Sequence, residues 1–314
     1  MPKPFASTAD TAEKRSTLEE LAPGVYAFTA EGDPNVGAVV GRDSVLGIDA
    51  RATPTHAREW LDALREVTDK PIEFLVLTHY HAVRTLGASA FGARWTVAHT
   101  NTERWIRERG QADWESEYRR FPRLFKDAPS IPGLTFPNLV FADALTLDFG
   151  GREVQIRWLG GAHTIGDAAV WLPDERIFFS GDIVEAQAAP YMGDACIREW
   201  PRTLERVAAL EPEALVPGRG PALRGDDVAT TLGEMGDYVD ILWGTVSQAQ
   251  ARRATLKQAF DEAYAALQPR FGDWAIFEHC IPFNVARAYD EAGGLEAQVW
   301  TAEKDAEVWA ELQE

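Results

Sequence analysis

Residues 74–87 read FLVLTHYHAVRTLG, an apolar run that stops at Thr78 and turns into His79-Tyr80-His81. Alternate residues of an extended segment face the same side, so the imidazoles of His79 and His81 can both reach one metal ion, each at about 2.0–2.1 Å. Histidine is scarce in this chain. Of its six, His56, His79, His81, His99, His163 and His279, two stand in this short stretch. An apolar strand that empties into His-x-His predicts a metal site carried on a rigid frame.

Two later stretches have the same form. Residues 158–167, WLGGAHTIGD, and 176–182, RIFFSGD, each run apolar into a glycine turn that carries one candidate ligand, His163 or Asp182. A third junction, residues 214–220 (ALVPGRG), carries Arg219. Strand-like runs also occupy 24–29, 36–40, 44–49 and 72–78 before these motifs, and 154–159, 168–172, 176–180 and 214–216 around them. Residues 55–67 open after Pro54 and place Trp60, Leu64 and Val67 at spacings of four and three, the apolar face of a helix. Strands mixed with helices in this order predict a layered α/β domain with its sheets inside and its ligands at strand ends.

From residue 226 onward the period changes. Leu232, Met235, Val239, Leu242 and Val246 recur at three and four, as do Leu256, Phe260, Ala263 and Leu267 before Pro269, and 302–312 reads as a further helix. The chain accordingly divides into a tail at 1–20, the α/β domain at 21–225 and a mainly helical extension at 226–314. The apolar stripes of the extension need a covering surface, so it is expected to pack beside the α/β domain and shape its cleft or a homodimer contact.

The 314 residues include 31 Lys and Arg against 49 Asp and Glu, a formal charge of −18, and 46% are hydrophobic. That composition suits a folded protein, and a surface so acidic repels phosphate backbones and anionic lipid, which argues against nucleic-acid and membrane partners. No segment has the apolar run of a signal peptide or the ~20 apolar residues of a membrane span, so a cytoplasmic location is expected. Cys196 and Cys280 form no paired motif and read as two reduced, packed thiols.

Taken in order, four motifs resemble those of the metallo-β-lactamase fold superfamily. They are Thr78-His79-Tyr80-His81-Ala82-Val83-Arg84, Gly160-Gly161-Ala162-His163-Thr164-Ile165-Gly166, Ser180-Gly181-Asp182 and Pro217-Gly218-Arg219-Gly220, against the family's T-H-x-H-x-D-H, G-x-x-H-T-x-G, S-G-D and P-G-H-G. The likeness covers roughly residues 21–225. It implies an α/β fold, the αββα four-layer sandwich, with its site in a cleft along one sheet edge. It also implies a first metal held by His79, His81 and His163, with Asp182 bridging to a second.

The departures bear on that second metal. Val83, Arg84 and Arg219 stand where the family has an Asp and two His ligands. Valine has no lone pair and arginine keeps its proton near neutral pH, so neither ligates a cation. One zinc per chain is therefore expected. Arg84 and Arg219 bring the same formal +2 that a second zinc would bring, and their paired N–H donors can hold a carboxylate, sulfate or phosphate beside the metal. A plainer reading pairs the same arginines with Asp182 in a decayed site.

Three neutral imidazoles with an open fourth position form the donor set of a catalytic zinc, whose bound water ionises near pH 7. The expectation is a single-metal hydrolase of a small anionic substrate, an ester, lactone, amide or thioester. Asp182 would orient the water or take its proton, and Arg219 or Arg84 would position the acid. Two other classes use the same residues. His79, His163 and Asp182 make the two-His, one-carboxylate set of a non-haem iron dioxygenase, and a decayed site would leave an anion-binding protein without turnover. Asp167 and Asp49 are candidates for the missing water-orienting carboxylate, although each also suits a turn or strand cap. The cluster Glu278-His279-Cys280 lies outside the likeness and is a candidate source of a replacement ligand. His56 and His99 are expected to be structural.

Overall fold

The computed structural model describes residues 5–313. The chain begins with β1 (Thr17–Ala22), β2 (Val25–Thr29), β3 (Val36–Val40), β4 (Val45–Ile48), α1 (Pro54–Arg65), β5 (Ile72–Val76) and α2 (Ala82–Thr85). It continues through β6 (Trp95–His99), α3 (Thr100–Arg120), β7 (Leu139–Phe141), β8 (Ala144–Asp148), β9 (Glu153–Trp158), β10 (Ala168–Leu172) and β11 (Ile177–Phe179). It ends in α4 (Trp200–Ala208), β12 (Ala214–Val216), β13 (Leu223–Arg224), α5 (Asp226–Ala251), α6 (Leu256–Phe271), α7 (Phe277–Ala292) and α8 (Ala302–Glu311).

Strands β1 to β7 form one sheet in sequence order, antiparallel as far as β4 and parallel from there. The second sheet has the order β13-β12-β11-β10-β9-β8 and is antiparallel except between β11 and β12. Antiparallel neighbours need only turns, whereas parallel neighbours need crossovers, and α1, α3 and α4 lie in these. The inner faces meet in one apolar core, Val39, Leu46, Val76 and Val97 against Val154, Ile156, Val170 and Phe179. A side chain at Gly37 would collide with the Phe179 ring of the opposite sheet, so glycine is needed there for the sheets to close.

Trp60 and Leu64 of α1 and Trp105 and Ile106 of α3 cover the outer face of the first sheet. Trp200 and Leu204 of α4, with Met235 and Val239 of α5, cover the outer face of the second. The result is the expected αββα sandwich. The helices after it extend the same outer cluster through Val246, Leu267, Phe271, Phe283 and Val308. Their apolar stripes are thus covered from within the chain, each fully buried side chain adding about 1.5–3 kcal/mol.

Four helices go beyond the sequence reading, the short α2 and α4 as well as the longer α3 and α7. In α3 the buried face carries Asp113, Ser116, Glu117 and Arg120, so no apolar period marks it. In α7 an internal Pro282 disguises the helix, because proline usually breaks one. The first strand begins at Thr17, inside the segment read as a tail. Among the described residues no helix is long and apolar enough to cross a membrane.

Candidate metal centre

Four strand ends meet at one place. The segment after β5 carries His79 and His81, the β9–β10 turn carries His163, the turn after β11 carries Asp182 and the turn after β12 carries Arg219. His79, His81 and His163 are buried, and they present ring nitrogens that lie within 4.8 Å of one another. Their rings stand nearly perpendicular, at 89°, 76° and 85° pairwise. Nδ1 of His81 is 2.9 Å from Nε2 of His163. Nε2 of His79 is buried with no hydrogen-bond partner among the described residues. A buried nitrogen left unpaired costs about 1–3 kcal/mol, and a cation at the point where the three nitrogens converge removes that cost. The residues therefore fit a metal ion.

The other nitrogen of each ring is held from behind. Nδ1 of His163 donates to the carbonyl of Tyr191 at 2.8 Å, and Nε2 of His81 meets Asp194 at 3.1 Å. Nδ1 of His79 lies 3.1 Å from Oγ1 of Thr78, whose own proton goes to Asp49 at 2.8 Å. Asp49 reaches Thr78 from φ 59°, a left-handed position that Asp tolerates better than most residues. Such outer partners set which nitrogen of each imidazole faces a metal. Burial holds His163 down at about 3 and His79 well below the ordinary imidazole range, so both rings are in the neutral, ligating form. Burial also opposes charge on His81, but Asp113, Asp194 and Glu117 outweigh it and raise that ring to about 9.

Oδ2 of Asp182 stands 3.7 Å from Nε2 of His79 and 3.6 Å from Nε2 of His163. Two guanidiniums share this carboxylate. Arg84, wholly buried, donates through Nη2 to Oδ1 of Asp182 and, at 2.8 Å, to the carbonyl of Gly218. Its Nη1 donates to the carbonyl of Asn35 at 2.6 Å and lies 3.5 Å from Asp49. Arg219 gives Nη1 both to Oδ2 of Asp182 at 2.9 Å and to Glu185 at 2.7 Å. Position 218 must be glycine, since a Cβ there would strike Asp182 and approach Nη2 of Arg84 to 3.0 Å. Burial favours the neutral acid, yet Arg84 and Arg219 hold Asp182 well below the usual carboxylate range. Burial and the charge of Asp182 push Glu185 up to about 8. Val83 packs with Leu86, Leu124 and Phe125 in an apolar cluster.

The acids behind His81 escaped the sequence reading. Asp113 and Glu117, four apart on α3, accept the amides of Ala82 at 2.7 Å and Val83 at 2.9 Å and so cap α2. Asp194 accepts from the Tyr80 hydroxyl and lies 3.5 Å from Arg109. Acids spaced i, i+4 were the available signal for the first two; Asp194, in an irregular loop, had none.

The remaining candidates have other partners. Asp167 caps its own turn through the amide and hydroxyl of Thr164, at 2.8 and 2.6 Å, and Asp49 serves Thr78. His279 is buried against Ser7 at 2.8 Å and Arg120 at 3.3 Å, while Glu278 is exposed and accepts from Tyr264 at 2.6 Å. Neither joins the three-histidine group among the described residues. His99 caps α3 and stacks on Trp158, and the amide of His56 is capped by Thr53, both structural uses.

The sequence profile of the Metallo-beta-lactamase superfamily matches residues 30–219, and the chain belongs to that superfamily. By family it is metallo-hydrolase-like. A metallo-beta-lactamase type 2 from Bacteroides fragilis is 40% identical over 99 residues, which are 30% of this chain and 40% of that relative's length. Among solved structures, a metallo-beta-lactamase from Pontibacter korlensis matches with a TM-score of 0.56 at 20% identity, over 70% of this chain and 99% of its own. The sec-alkylsulfatase Pisa1 from Pseudomonas sp. matches with a TM-score of 0.70 at 17% identity, over 88% of this chain and 50% of its own. At these identities the structural likeness establishes the fold.

Proposed function

We propose that the chain is a hydrolase with a single metal, zinc, acting on a small ester, lactone, amide or thioester that carries an acidic group. One observation carries the reading. Three buried imidazoles converge with their outer partners in place, while Arg84 and Arg219 stand where the family motifs have second-metal ligands and both bind Asp182. Zinc held by His79, His81 and His163 supplies a Lewis acid and a water that is acidic near neutral pH. Asp182 stays ionised between the two arginines and is the fixed acceptor that orients a water; a carboxylate so acidic is a weak base. Arg84 anchors that carboxylate and places a permanent positive charge beside the centre. Arg219, with Nη1 committed to Asp182 and Glu185, offers Nη2 to the acid of the substrate. The likeness to an alkylsulfatase adds alkyl sulfates to the esters to be tested. The two free cysteines support a cytoplasmic setting for this chemistry.

Elemental analysis of protein expressed without added metal tests the reading. The expected result is zinc at no more than one per chain, removed by a chelator together with hydrolysis of acid-bearing esters. Two protein-bound metals per chain, or iron with oxygen uptake, would overturn it.

A further inference from the structure

The irregular segment between β11 and α4 supplies the outer partner of two of the three histidines, Tyr191 by its carbonyl and Asp194 by its carboxylate. An irregular loop at this depth must find partners for its own amides and carbonyls, or it will not hold one shape. The amides of Ala186, Ala189 and Cys196 donate to the carbonyls of Arg219, Ala275 and Ala162, and the stretch around Tyr191 and Asp194 finds its other partners on one helix face. Asn284, Arg287 and Glu291 of α7, spaced by three and four, point at the loop together. Oδ1 of Asn284 accepts the amide of Met192 at 2.8 Å, and its Nδ2 donates to the carbonyl of Pro190 at 2.8 Å, so the two bonds bracket Tyr191. Nε of Arg287 donates to the carbonyl of Ala195 at 2.9 Å, immediately after Asp194. Glu291 accepts the amides of Ile197 and Arg198, each at 3.1 Å, and pairs with Arg287 at 3.1 Å.

We infer that α7 is the outer support of the metal centre: Asn284, with Arg287 and Glu291, is a positioning residue that fixes Tyr191 and Asp194 and thereby sets which nitrogens of His163 and His81 face the metal. The inference rests on the metal reading above, and it gives the helical extension a chemical task in addition to covering the second sheet. With the loop released, the Tyr191 carbonyl and Asp194 carboxylate no longer lock the ring N–H groups, and the converging nitrogens lose their common aim.

Zn²⁺ titrated against a chromophoric chelator, and the imidazole ¹H–¹⁵N spectrum of the metal-free protein, test this on full-length chains. Removing a direct outer partner of a metal ligand costs about 10- to 100-fold in affinity; Asn284 acts one step further out, so Asn284→Ala should weaken Zn²⁺ binding by about 10-fold and Glu291→Ala by about 3-fold. Both should broaden or lose the slowly exchanging ring N–H signals of His81 and His163. Tyr238→Phe, which removes the hydroxyl 2.9 Å from Nδ2 of Asn284 but leaves both bonds of that side chain to the loop, should leave affinity and ring signals unchanged even if it lowers thermal stability. If Asn284→Ala does not fold, Glu291→Ala decides, since that side chain is partly exposed. Wild-type affinity and wild-type ring signals in the variants that fold would overturn the inference. A wild-type chain that binds no Zn²⁺ would instead sink the hydrolase reading, while the ring spectra would still judge the role of α7.

Discussion

Arg84→Met keeps much of the side-chain volume and removes a charge that is wholly buried. Asp182 is then left with Arg219 alone, and Asp49 loses the guanidinium at 3.5 Å while keeping its bonds to Thr78. Removing one partner of a buried ion pair costs about 3–5 kcal/mol; here Asp182 keeps only its bond to Arg219, and the buried carbonyl of Asn35 loses its donor as well. The carbonyl of Gly218 is spared, since the amide of Asn35 also donates to it at 2.8 Å. In a chain of this size about 2 °C of melting temperature goes with each kcal/mol, so calorimetry of the chelator-treated protein should show a fall of about 6–10 °C. A second change isolates the cause. Asp182→Asn placed on Arg84→Met neutralises the acid that has lost one of its two counter-charges and should recover about 1–3 kcal/mol, a coupling that independent sites would not show. If Arg84→Met melts within about a degree of the wild type, or if Asp182→Asn adds to its cost, Arg84 is not the counter-charge of this carboxylate and the electrostatic account fails.

His81→Ala should remove most of the bound zinc, because two imidazoles and a carboxylate 3.6 and 3.7 Å from them hold a divalent ion poorly; metal retained through dialysis against a weak chelator would contradict this. Arg219→Ala should raise KM for acid-bearing substrates by about 10- to 100-fold more than for neutral analogues, the size of a charge-assisted hydrogen bond of about 1.5–3 kcal/mol, the loss common to both coming from Asp182 and Glu185 losing this guanidinium; equal losses for both would make the arginine structural. Burial pushes the thiols of Cys196 and Cys280 up to about 12. At pH 8 only about one thiol in ten thousand is then ionised, so an aromatic disulfide reagent should label both cysteines in denaturant and neither in the native protein. Rapid native labelling of Cys280 would refute the packing of α7.

The inner layer of the site could be read from the chain because each ligand follows a short apolar strand, in a His-x-His pair at His79 and His81 and beside glycines at His163 and Asp182, so that these four announce themselves locally. The layer behind it is built across long separations. Ala82 meets Asp113 at a distance of 31 residues, His81 meets Asp194 at 113, and Met192 meets Asn284 at 92. No local period reports such pairs. Among the helices not read from the chain, α3 and α7 fail for a related reason. Apolar spacing marks a helix face that packs on side chains, whereas the stretches of α3 and α7 nearest the site pack on backbone, the amides that open α2 and the loop that carries Tyr191 and Asp194. A face that must satisfy buried amides and carbonyls has to be polar, so Asp113, Glu117, Asn284, Arg287 and Glu291 read as solvent-facing although they point inward. The failure of the apolar period in these two helices therefore has a physical meaning: it marks the places where a helix holds irregular backbone in the shape that the metal centre requires.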